Sequence, residues 1–209
     1  KKTRFKVFKI STLKIKYCIF PSKYCDYTQF NSSILHPHAG QDRGVFKENA
    51  KGYIRIKKTN WDNFPGILFT KLYEYQALLK HYKGKERWNK SEFARRYFEF
   101  MKQSNVKDRG FKNYNEFLLG REKQIDELFE SVLKKGVYPV NINKSKKKFI
   151  DNISIALTKN GEYYFNNRGH HRLSIAKILG LKKIPIKVTL AKSIKQLKNF
   201  FSENEKYCE

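Results

Sequence analysis

Arg168-Gly169-His170-His171-Arg172-Leu173-Ser174-Ile175-Ala176-Lys177-Ile178-Leu179-Gly180, followed closely by Ile184-Pro185-Ile186, is the stretch whose reading decides the fold. Leu173, Ala176 and Leu179 recur at helical spacing, and Gly180 ends the pattern. Upstream, Ile153 to Phe165 reads as two short strands hinged at Asn160-Gly161, a strong hairpin dipeptide. A strand therefore feeds a glycine turn, and the turn opens a helix whose first residues are basic. The amides of a helix start and the positive end of its dipole make an anion site, and arginine or histidine there clamps phosphate oxygens. The pattern points to a bound phosphate. The competing reading is an exposed helix start that carries basic residues and no ligand.

Composition narrows the rest. A chain of 209 residues can bury a sizeable core in one domain or little more. Hydrophobic residues at 40% and aromatics at 15% exclude a disordered protein. No apolar run approaches the ~20 residues of a membrane span, so no membrane partner is expected. Three cysteines, Cys18, Cys25 and Cys208, form an odd set without a CxxC pair, which suits a reducing cytoplasm. Cys18, Cys25, His36 and His38 are zinc-ligand types, but their spacing matches no finger, and no protein-held metal is expected.

The net charge of +26, from 45 Lys plus Arg against 19 Asp plus Glu, points toward a polyanionic partner. Most of the excess is lysine spread along the chain, densest at Lys144, Lys146, Lys147 and Lys148. Base readers favour the bidentate fork of arginine, so non-specific nucleic-acid binding at low salt is the expectation. The same charge also fits a solvated lysine surface without a partner.

Further out, Arg4 to Ile19 alternates apolar and lysine residues as a half-buried strand or hairpin. Residues 20–52 read as irregular connection, and Tyr53 to Ile56 as a short strand. Apolar spacing predicts a helix over Ile67 to His81, and Asn89 with Glu92 a capped helix bearing Phe93, Tyr97, Phe98 and Met101. Asn113 and Glu116 predict a second cap, before a long helix interrupted near Gly120 and ended by Gly136. Val137 to Val140 and Ile184 to Leu190 read as strands, and Ser193 as the cap of a last helix.

Leu128 through Lys135-Gly136-Val137-Tyr138-Pro139-Val140 resembles the helix–glycine–strand opening of ParB/sulfiredoxin-like domains. Gly169-His170-His171-Arg172 through Ile184-Pro185-Ile186 resembles their second signature. The resemblance implies an α/β (mixed α+β) fold: a nucleotide-binding domain of that type over 113–209, with 1–112 as a strand–loop–helix extension packed on it. Members of that superfamily bind nucleotide phosphates at the glycine–basic motif. The free-serine kinases are nearest, because their motif also reads Gly-His-His-Arg. Their catalytic glutamate lies in a Glu-x-Leu-x-x-Arg-Glu pattern, similar here to Glu116-Phe117-Leu118-Leu119-Gly120-Arg121-Glu122 with the leucine displaced by one. Those kinases carry an acidic residue where this chain has Arg168. The sulfiredoxin cysteine is absent, and no helix-turn-helix of the partition proteins follows.

The resemblance implies a nucleotide-dependent phosphotransferase using ATP or ADP with Mg2+ and a small hydroxylated acceptor. Phosphate-binding candidates are Arg121, Ser131, Arg168, Gly169, His170, His171 and Arg172; catalytic candidates are Glu116 and His171. Phosphoryl transfer needs charge neutralisation and a positioned hydroxyl, so a carboxylate base completes the set. Asp151 and Glu162, flanking the hairpin, follow Glu116 as candidates. The alternative is a nucleotide-gated or nucleic-acid-binding relative, including a nuclease. An acidic residue in a helix's first turn is also ordinary capping, which is the plainer role for Glu116.

Overall fold

The structure, a computed structural model, describes residues 6–19, 53–58, 60–63, 66–91, 93–95, 113–138, 152–166 and 168–204. They form a mixed α/β fold around one seven-stranded sheet. Its strands are β1 (Val7–Ser11), β2 (Ile15–Cys18), β3 (Arg55–Ile56), β4 (Ile67–Leu68), β5 (Ile153–Leu157), β6 (Tyr163–Phe165) and β7 (Lys183–Ala191). The helices are α1 (Tyr73–Gly84), α2 (Tyr114–Lys135), α3 (His170–Ile178) and α4 (Ile194–Glu203).

The strand order β1-β7-β5-β6-β2-β4, with β3 also on β7, draws on both halves of the chain. β5 and β6 make the antiparallel hairpin, and Gly161 turns it with φ 77°. β7 lies parallel to β5 on its other side, Ile155 opposite Val188. β1 and β2 do not pair with each other as a hairpin. A short 3-10 turn at Thr12–Lys14 separates them, and β1 runs antiparallel to β7 while β2 runs parallel to β6.

Four further expectations change. Residues 67–81 are not one helix: Ile67–Leu68 pairs with β2, a 3-10 turn follows at Phe69–Lys71, and α1 starts at Tyr73. Tertiary pairing overrides the local apolar spacing there. α2 runs unbroken through Gly120, since a lone glycine costs only about 1 kcal/mol in a helix that packing supports. Its cap is as the spacing suggests, with the Glu116 amide donating to Asn113 Oδ1 at 3.0 Å. The later helix start is capped by Ser91 rather than Asn89, because Ser91 Oγ accepts from the Ala94 amide at 3.2 Å. Val137 and Tyr138 are not strand, and Tyr97, Phe98, Met101 and Lys144–Lys148 lie outside the described residues.

The helices bury one sheet face. Ile153, Ile155, Ile186 and Val188 meet Leu173 and Ala176 of α3 in the main core. α1 and α2 are docked by a polar clamp: Tyr82 donates to Asp126 at 2.9 Å, His81 Nε2 lies 3.1 Å from the same carboxylate, and Tyr82 stacks on Phe129. The opposite face carries Trp61, Tyr164 and Leu190 beside buried Ser154, Asn166, Lys187 and Thr189. Among the described residues, no helix is long and apolar enough to cross a membrane.

Asp62 pins the hairpin from that second side. Its buried carboxylate lies 2.7 Å from Lys192 Nζ and accepts the Lys159 amide at 2.6 Å. Burial acts to raise its pKa, but Lys192 and the Lys159 amide outweigh burial and hold it below the usual carboxylate range. Asp62→Asn removes the Asp62 charge that Lys192 faces at 2.7 Å, and breaking a buried pair costs about 3–5 kcal/mol. Lys192 is 16% exposed, so the lower end is expected. Urea midpoints check it, and the difference from wild type should shrink as pH falls below about 4, where the carboxylate protonates in the unfolded chain.

Candidate functional site

The turn that launches α3 is held from beneath by a chain of hydroxyls and amides. Thr189 Oγ donates to the Ile155 carbonyl at 3.2 Å and accepts from Asn166 Nδ2 at 2.8 Å. Ser154 Oγ donates to the Asn166 carbonyl and accepts the Arg168 amide at 3.0 Å. The Ser154 amide in turn donates to the Arg168 carbonyl at 3.1 Å, so the backbone on both sides of Asn167 is fixed to β5. Gly169 then caps α3 in the left-handed region, φ 81°. A Cβ there would stand 2.7 Å from Ile153 Cα, so only glycine fits both the conformation and the space.

His170 and His171 follow as the first residues of α3, and both reach one carboxylate, Glu74. His170 Nε2 lies 2.8 Å and 2.9 Å from its two oxygens, and His171 Nε2 lies 2.5 Å from one of them. Adjacent helical residues ordinarily face away from each other. Here the rings sit 4.1 Å apart, folded over the helix end. Glu74 belongs to the first turn of α1, so the carboxylate lies at two helix starts, each of which favours negative charge. Arg121, from α2, places its guanidinium 2.9 Å from His171 Nε2. Glu74 and His171 are 16% and 12% exposed, shielded yet within reach of solvent.

Electrostatics fix the protonation states. Burial acts to raise the Glu74 carboxyl, but His170 and His171 outweigh it and hold it well below the usual carboxylate range. Burial pushes His171 down to about 3 against the opposing pull of Glu74. At neutral pH the cluster therefore presents an ionised carboxylate beside a neutral imidazole.

Of the residues singled out in the sequence, the structure brings together His170, His171 and Arg121, with Gly169 as the cap of α3. Arg172, half-buried, completes the first turn of α3. Arg168 is exposed and enters the launching turn through its backbone. Glu116 is exposed in the first turn of α2, where its amide serves the cap; the carboxylate that meets the histidines is Glu74. Ser131 is exposed ten residues beyond Arg121, roughly 15 Å further along the helix axis. Glu162 sits at the hairpin tip, at the opposite end of β6 from Gly169. Cys18 is a buried thiol, and Asp151, Cys25, His36, His38 and Cys208 lie outside the described residues.

Glu74 is the residue sequence reasoning missed. It lies 96 positions before His170, inside a stretch whose helix start is displaced by β4 and a 3-10 turn. An acidic residue in a first turn reads as dipole compensation, and only the fold brings α1 against α3.

Geometry alone defines the class: a mixed α/β domain with a basic helix start closed over one carboxylate. Comparison with protein-family models, with curated proteins and with solved structures finds no match in any of the three.

Proposed function

We propose that this chain is a nucleotide-dependent phosphotransferase whose phosphate-binding element is Gly169-His170-His171-Arg172 and whose base is Glu74. The observation that carries the reading is the convergence of both histidines on Glu74 at the start of α3, with the Arg121 guanidinium against His171. A phosphate arriving there meets the helix dipole and imidazole hydrogen-bond donors, and the Arg121 guanidinium, joined on this reading by Arg172 from the same helix turn, neutralises charge on the transferred group. Glu74, kept ionised, accepts the proton of an acceptor hydroxyl, the part the sequence pattern suggested for Glu116. Mg2+ prefers oxygen ligands, and in this cluster only Glu74 offers them, so the ion fits best as one carried by the nucleotide phosphates. The ParB/sulfiredoxin resemblance of Gly169-His170-His171-Arg172 through Ile184-Pro185-Ile186 supports the same class, and the odd cysteine count supports a cytoplasmic setting.

A thermal-shift screen of ATP, ADP, CTP and GTP, with and without Mg2+, tests it. A ligand at ~100 times its dissociation constant adds about 2.7 kcal/mol, or roughly 5–10 °C for a chain of this size. No shift with any nucleotide removes the reading.

The charge of +26 favours a second reading, action on nucleic acid. On the first reading, DNA or RNA binds without sequence preference and weakens by orders of magnitude between about 50 and 200 mM salt. Tight binding at physiological salt, or plasmid cleavage lost in Arg172→Ala, decides for the second.

A further inference from the structure

We infer that Glu74, His170 and His171 form a binding site for a divalent transition-metal ion, Zn2+, Co2+ or Ni2+ rather than Mg2+ or Ca2+. One ligand atom from each residue lies within 4.8 Å of the other two. In a site with ~2.1 Å metal–ligand bonds the donor atoms stand roughly 3–3.5 Å apart. The imidazole nitrogens and the Glu74 oxygens, now 2.5–2.9 Å apart, need to separate by roughly 0.1–1 Å, most at His171, for an ion to replace the shared protons.

The donor set also decides which ions fit. Two imidazole nitrogens and one carboxylate suit Zn2+, Co2+, Ni2+ or Fe2+, whereas Mg2+ and Ca2+ want oxygen cages. The helix dipoles of α1 and α3 oppose any cation, and they penalise most the hard ions that bind by charge alone. Nitrogen ligation compensates only for the transition metals. The ligands come from two helices, α1 and α3, locked by the core and by the hydroxyl chain beneath the turn at 166–169. Arg121, 2.9 Å from His171 Nε2, competes with the ion for that nitrogen and must swing aside. Three protein ligands leave coordination positions open toward solvent. An anionic oxygen there is favoured by the same dipoles, so metal and phosphate should bind synergistically, the phosphate then held through the ion and Glu74 acting as a ligand rather than as the base. The synergy rests on the phosphate-site reading above; the metal site does not.

The test is calorimetric titration of the full chain with ZnCl2 alone, in nucleotide-free buffer, then with inorganic phosphate present. The expected result is about one equivalent of Zn2+, bound tenfold or more weakly by Glu74→Gln and by His171→Ala. Arg121→Gln should bind it more tightly. His36→Ala with His38→Ala should change nothing, and unaltered affinity in Glu74→Gln and His171→Ala places the ion elsewhere and overturns the proposal. Because either cluster variant can lose its fold, histidine NMR of the unaltered protein gives a second readout. The chain has 5 histidines, and Zn2+ must move His170 and His171 resonances first. Shifts confined to the other three also overturn it. Zinc binding by a protein that ignores every nucleotide supports the metal site while removing the phosphotransfer reading. Nucleotide binding without zinc binding does the reverse.

Discussion

Glu74→Gln is expected to lower phosphoryl transfer by ~10²–10⁴ while leaving nucleotide affinity equal or higher. The amide keeps the size of the carboxylate and loses its charge and its capacity to take a proton. Affinity can rise because Glu74 itself occupies the negative position at the start of α3, and an incoming phosphate no longer competes with it. Steady-state kinetics with separate calorimetry resolves the two quantities. A merely structural Glu74 gives the opposite pattern, lost stability with turnover per folded molecule unchanged. The pH profile carries an independent signature. Glu74 lies below its ordinary value and His171 is pushed down to about 3, so the unfolded chain binds more protons than the native one as pH falls from about 6.5 toward 3. Stability is therefore full above that window and declines through it, and His171→Phe should flatten the decline. A profile unchanged by that substitution contradicts the assignment of His171 as a buried neutral imidazole.

Gly169→Ala is expected to damage fold and site together. A non-glycine residue in the left-handed region costs about 1–2 kcal/mol, and overpacking adds about 1–3 kcal/mol. The obstacle is backbone: the new Cβ meets Ile153 Cα at 2.7 Å and Ile153 N at 2.9 Å. β5 and the start of α3 must therefore part, which moves both histidines off Glu74. A denaturant midpoint equal to that of wild type contradicts this packing. Gly161→Ala is the matched control. It shares a positive φ, but a Cβ meets nothing within 4 Å, so only the conformational part of the loss remains.

These two glycines also show what local sequence could reveal. Asn160-Gly161, Asn113 with Glu116, and Ser193 are short-range signals, and each is found as a turn or a cap. The α3 stripe is equally local, with Leu173 and Ala176 fully buried. Sheet order is not. β1 pairs with a strand some 175 positions away, and nothing in the alternation of residues 4–19 selects β7 over β2. Ile67 and Leu68 carry an apolar pattern that suits a helix, yet the edge of β2 claims them. The basic half of the site, with Arg121, was visible in the motif residues. Its acidic half was not, because Glu74 acquires meaning only when α1 and α3 meet.

The central claim is that the start of α3 binds a phosphorylated ligand, and calorimetric nucleotide titration of wild type and Arg172→Ala tests it most directly. Arg172 lies in the first turn of α3, while the helix packs through Leu173 and Ala176, so its loss should spare the fold. Saturable binding by wild type, lost in an Arg172→Ala protein that still unfolds cooperatively, is the expected result. Equal affinity in the two proteins contradicts a phosphate site at Gly169-His170-His171-Arg172.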